Sequence, residues 1–76
     1  MGADMKYLVV IEKAENNYAA YLPDLPGCVA TGETPEDTIA NIRKAIDMHL
    51  RGLREDGLAV PVPTARAEYL AMQEAS

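Results

Sequence analysis

The chain has 76 residues, 12 of them acidic against 7 basic, which gives a net charge of −5 and a pI near 4.6. A chain this short forms one domain and buries only roughly 60% of its unfolded surface, so a second copy or a partner is an expected supplement to its core. An acidic surface repels phosphate backbones and is drawn to basic ones, which excludes direct nucleic-acid binding as the first expectation and favours a basic protein partner. With 49% apolar and 25% charged residues the composition is that of a folded domain.

Residues 1–5 read as a flexible N-terminus, and Lys6 stands where a myristoylation motif needs Ser or Thr. Tyr7-Leu8-Val9-Val10-Ile11 is β-rich and apolar on both alternating faces, which predicts a strand with something packed on each side. It is also the longest apolar run, too short for a membrane span or a signal peptide. Glu15-Asn16-Asn17 supplies turn residues tolerant of left-handed backbone, and Tyr18-Ala19-Ala20-Tyr21-Leu22 follows as the second strand of a hairpin.

Two turns come next. Pro23 and Pro26 each preset a negative φ, Asp24 suits the second position of a type I turn, and Gly27 accepts the positive φ of a type II turn. Cys28-Val29-Ala30-Thr31 is then a third strand, ended by Gly32. Thr34 is placed to cap a helix, with Pro35 at its first position and Glu36 and Asp37 at the positive end of its dipole.

Ile39, Ile42, Ile46, Leu50 and Leu53 recur at helical spacing as a stripe that can cover a sheet face, and Gly57 is placed to stop the helix. Arg43, Asp47, Arg51 and Glu55 alternate in sign on the far side, where ion pairs contribute only about 0.3 kcal/mol each. The prolines of Val60-Pro61-Val62-Pro63 lack donors and confine that segment to an edge or a linker. Thr64 is placed to cap a second helix from Ala65 to Glu74, so that 64–76 is a C-terminal helix or tail. The fold class is therefore α+β, a three-stranded antiparallel meander with an amphipathic helix, in one domain over 1–76.

Candidate chemistry is sparse. The one cysteine, Cys28, forms no internal disulfide, which points to a cytoplasmic setting, and with no basic residue beside it in sequence it reads as a buried small hydrophobe. His49, the one histidine, falls on the flank of the apolar stripe and lacks a nucleophile or an orienting acid. One His and one Cys make no zinc site. Glu12, Asp24, Glu33, Glu36 and Asp37 are the carboxylates that a weak metal-dependent nuclease would have to gather, but turn formation accounts for Asp24 and helix capping for Glu36 and Asp37. Gly27 and Gly32 are isolated and form no phosphate loop. Tyr7, Tyr18 and Tyr21 lack the basic surroundings of an RNA-stacking platform. No catalytic, cofactor-binding or metal-ligating residue is expected.

The run Leu22-Pro23-Asp24-Leu25-Pro26-Gly27-Cys28, followed by Gly32-Glu33-Thr34 and an amphipathic helix, resembles the HicB-like antitoxin family. The resemblance runs from Lys6 to Pro63 and implies a truncated ribonuclease H-like fold, β-β-β-α with a short fourth strand and often a second helix, without ribonuclease H activity. It also implies an antitoxin that covers the active surface of HicA, a small basic toxin that cleaves mRNA, with Asp24 and Glu33 as candidate contacts. Complete antitoxins of this kind append a DNA-binding domain, and 64–76 is too short for one. Three functions follow: an antitoxin-like binding module, a solitary homo-oligomer without a toxin, and a weak nuclease. The two apolar faces of Tyr7–Ile11, of which one helix covers only one, further predict a homodimer or higher oligomer.

Overall fold

Residues 5–74 are described by a computed structural model in which Val10–Lys13 (β1), Tyr18–Tyr21 (β2) and Val29–Gly32 (β3) form one antiparallel sheet in the order β1-β2-β3. A single helix, Pro35–Glu55 (α1), follows and packs across β3 and β2. The expected β-β-β-α order is therefore present.

Each boundary has a chemical cause. The Leu22 carbonyl accepts from the Leu25 N–H at 3.3 Å, and the Leu25 carbonyl accepts from the Cys28 N–H at 3.2 Å, so the two proline turns stand back to back. Gly27 has φ +86°, the value that the third residue of a type II turn requires. Nothing lies within 4 Å of a Cβ built there, so Gly27→Ala is opposed by backbone strain alone. A destabilisation of about 1–2 kcal/mol is expected, read as a lowered midpoint in urea, and an unchanged midpoint would contradict the type II turn.

Thr34 Oγ1 accepts the Asp37 N–H at 3.0 Å and caps α1, with Pro35 in its first turn. At the other end Gly57, φ +69°, donates to the Arg54 carbonyl and Leu58 donates to the Leu53 carbonyl, the paired bonds of a Schellman stop.

The core is small. Ala20, Leu22, Leu25, Cys28 and Ile42 are buried, with Tyr7, Val9, Ile11, Ala30, Ala45, Ile46 and Leu50 packed around them. Thr38 is buried too, and its hydroxyl donates to the Thr34 carbonyl at 2.7 Å. β3 and α1 approach closely where Gly32 meets Thr38: a Cβ on Gly32 would stand 2.6 Å from the Thr38 nitrogen.

Several expectations are corrected. The β1 ladder is Val10–Lys13, three residues later than the apolar run begins. Extending its register backwards would set Leu8 opposite Pro23, which has no N–H to give. Asn16 and Asn17 hold no positive φ; the loop closes instead through the Ala14 N–H and the Asn17 carbonyl at 2.8 Å.

Val60–Pro63 pairs with no strand, so there is no fourth strand among the described residues, and of the two readings of the C-terminal segment, helix or tail, Ala65–Glu74 is the tail. Ten residues are too few to hold a helix without packing, and Tyr69, Leu70 and Met72 lie fully or largely open to solvent. Arg43, Asp47, Arg51 and Glu55 are exposed, and the one ion pair among the described residues is Arg66–Glu68 at 2.8 Å. Residues 1–4 of the expected flexible N-terminus lie outside the described residues.

Candidate interaction surface

Alternation along β1 turns Val9 and Ile11 to the core and Val10 and Glu12 to the other side of the sheet. The antiparallel register then sets Val10 beside Tyr21, and Tyr21 beside Val29, as one apolar row on the face that α1 does not cover. Tyr21 is 40% exposed and Val29 65%. Glu12 shares this face, opposite Ala19, and Glu33 is exposed in the link from β3 to α1. By the register Glu12 lies two positions from Val10 toward the β1–β2 loop and Glu33 follows β3 at that same end, so the face is apolar at one end and acidic at the other.

Asp24 is occupied. Its Oδ2 accepts the N–H groups of Thr64 and Ala65, each at 3.0 Å, and its Oδ1 accepts the Thr64 hydroxyl at 3.0 Å. The Ala65 N–H, then the Thr64 N–H, hold this carboxyl below its usual value of 3.8. The residue expected to face a partner thus ties the segment after α1 to the turn after β2. Tyr7 supports the same segment by donating its hydroxyl to the Pro61 carbonyl.

Because the folded-state pKa of Asp24 is the lower one, the anchoring is fully present above about pH 3.8 and is lost as pH falls through the lowered value. The Thr64 and Ala65 amide resonances are expected to move together in that acid range and to stay still in Asp24→Ala. A transition near neutrality would contradict this assignment.

The remaining candidates offer no reactive set. Cys28 is buried, and desolvation pushes its thiol up, which leaves it protonated and a poor nucleophile. It lines a shallow cleft with Gly27, Val29, Ala45, Met48 and the half-buried His49. His49 takes part in no hydrogen bond with a described residue. Glu12, Asp24, Glu33, Glu36 and Asp37 are not gathered: no group of three metal-binding side chains occurs among the described residues. Also among them, no helix is long and apolar enough to cross a membrane.

On the helix side of the sheet, an open groove of about 630 Å³ runs between β1 and α1, with Tyr7, Val9 and Ile11 on one wall and Ile39, Ile42 and Ile46 on the other. Lys6, Arg43 and Asp47 also line it. Ile39, which the helical stripe places in the core, stands 42% exposed in this groove.

Residues 7–76 match the family described as the HicB_like antitoxin of bacterial toxin-antitoxin systems. The chain belongs to the HicB-like antitoxin family. It is 48% identical over 50 residues to a UPF0150 protein of Helicobacter pylori, covering 66% of this chain and 69% of that one. It is 33% identical over 70 residues to an uncharacterised 14.9 kDa protein of Haemophilus phage HP1, covering 92% of this chain and 53% of the phage protein. Antitoxin HicB 2 of Photorhabdus laumondii is 29% identical over 68 residues, 90% of this chain and 49% of that one. The HicB-like chain thus spans about half the length of the last two. A solved structure titled as a HicA3 and HicB3 toxin-antitoxin complex superposes with a TM-score of 0.67 at 30% identity, over 79% of this chain and 70% of the matched one.

The family motif has a structural role in this HicB-like chain. Pro23, Pro26 and Gly27 shape the two turns, Leu25 and Cys28 fill the core, Gly32 admits α1 and Thr34 caps it. Thr38, the buried partner of Gly32, was not singled out by the sequence patterns; Asn41, whose amide donates to the Thr31 carbonyl at 2.8 Å and ties α1 to β3, was not either. A glycine six residues ahead of a small polar residue in the first turn is the one signal of that close approach.

Proposed function

We propose that this protein is an antitoxin-type binding module that neutralises a small, basic HicA-type ribonuclease toxin in the cytoplasm by covering its active surface, without catalysis of its own. The observation that carries this reading is the likeness to a chain of the HicA3 and HicB3 complex at 30% identity. The net charge of −5 supports it, because an acidic partner is steered onto an RNA-binding face that carries the opposite charge. The uncovered sheet face, with Val10, Tyr21 and Val29 at one end and Glu12 and Glu33 toward the other, is the surface assigned to the toxin.

Titration of a purified HicA-type toxin with this chain is the test. Inhibition of RNA cleavage should end at a fixed molar ratio, and association should slow several-fold between about 50 and 500 mM salt. Glu33→Lys and Tyr21→Glu should weaken inhibition while the fold is kept. Inhibition well below that ratio, or none with either variant distinguishable from the parent, would reject occlusion on this face.

The same apolar row supports a second reading, a solitary homo-oligomer that covers the sheet face with another copy. Under that reading no toxin binds and Tyr21→Glu gives a monomer.

A further inference from the structure

The segment after α1 does not close the domain. With a radius of gyration of 15.1 Å and a longest extent of 55 Å, the chain is far less compact than the about 11 Å expected of a globular domain of this length. The excess lies in Ala65–Glu74, in which Tyr69 is fully exposed, Leu70 78% and Met72 81%. The root of this arm is fixed, since Tyr7 holds Pro61 and Asp24 holds Thr64 and Ala65.

Those two anchors also place its root. Pro61 lies beside the residues leading into β1, whereas Thr64 lies beside the turn after β2, so the chain crosses from the edge of the sheet toward its middle strand. No residue of Ala65–Glu74 lines the β1–α1 groove of its own chain.

We infer that the arm seats in the β1–α1 groove of a second copy, and that two copies exchange arms about a two-fold axis. The groove is apolar where Tyr69, Leu70 and Met72 would enter, and its volume of about 630 Å³ falls within the roughly 300–1,000 Å³ of sites that bury ligands of comparable bulk. The charges match as well: Lys6 and Arg43 line the groove against Glu74 of the arm, and the exposed Arg66–Glu68 pair would be exchanged for Asp47 against Arg66 and Lys6 against Glu68. A two-fold operation makes both contacts at once, so each copy fills the groove of the other. This contact lies on the opposite side of the sheet from the row assigned to the toxin, and the inference holds whether or not a toxin exists.

The experiment uses the full chain alone. Light scattering from micromolar to millimolar concentration should show a rise from 8.3 kDa to about twice that mass. Tyr69→Asp with Met72→Asp on the arm, and Ile39→Asp in the groove, should each raise the dimer dissociation constant at least ~10-fold with the helical circular dichroism unchanged, because all three side chains are exposed. Mixing Tyr69→Cys chains with Ile39→Cys chains should give a disulfide between two copies under mild oxidation, a result that needs no disruptive variant. A monomer at every concentration, a dimer lost with Tyr21→Glu but not with Ile39→Asp, or a Tyr69→Cys, Ile39→Cys double variant that bridges within a monomer would each overturn the exchange.

Discussion

Gly32→Ala is expected to cost at least about 3 kcal/mol and to lower Tm by roughly 12–24 °C, since each kcal/mol shifts a domain of this size by roughly 4–8 °C. The added methyl would stand 2.6 Å from both the nitrogen and the hydroxyl oxygen of Thr38, inside any real contact distance. Thr38 cannot yield alone. Its N–H donates to the Thr34 carbonyl at 2.9 Å and its hydroxyl to the same carbonyl, so moving it opens the first turn of α1 and the Thr34 cap.

A second glycine supplies the control. Gly52 lies inside α1 with nothing within 4 Å of an added Cβ, and Gly52→Ala should stabilise by about 0.5–1 kcal/mol through helix propensity. Thermal melts of the two variants should therefore move in opposite directions. Two melts displaced equally would show that Gly32 is a strand end and nothing more.

This contrast marks what a sequence makes legible. The turns at Pro23–Asp24 and Pro26–Gly27, and both ends of α1, were readable because Pro, Gly and Thr34 each impose their constraint on backbone within four residues. The β1 ladder begins three residues after the apolar run because its limit is set by Pro23 on the other strand. Ile39 departs from the core stripe for a related reason. Helical spacing finds an apolar stripe, but the sheet covers only the part centred on Thr38, Ile42 and Ala45, and Ile39 is left at the groove.

Longer separations hide more. Asp24 reads locally as a turn residue, and its bonds to Thr64 and Ala65 span 40 and 41 positions, beyond any motif. The choice between helix and tail for the C-terminal segment shows the limit of propensity itself: Ala65–Glu74 is rich in helix formers, yet residues 66–74 are all exposed and unsupported by packing. A candidate surface is harder still to read, because Val10, Tyr21 and Val29 meet only through the strand register.

The core gives the other large expected effect. Leu25 sits between the two proline turns and is wholly buried among Leu22, Cys28 and Ile42, so Leu25→Ala is expected to cost about 2–5 kcal/mol. A chain of 76 residues has about 4–11 kcal/mol to lose, and only five apolar residues among those described are buried. The turns themselves would survive in Leu25→Ala, since Pro23, Pro26 and Gly27 are untouched, so the loss isolates packing from backbone geometry. Leu25→Met, which keeps the volume, should cost less than about 1.5 kcal/mol, and Val29→Ala on the exposed row should stay within about 0.5 kcal/mol. Urea midpoints at constant slope would order the variants as Leu25→Ala far below Leu25→Met, with Val29→Ala near the parent. If Leu25→Ala instead matched Val29→Ala, the motif would hold the chain through its turns alone, and the core would have to be centred on α1 rather than on the loop.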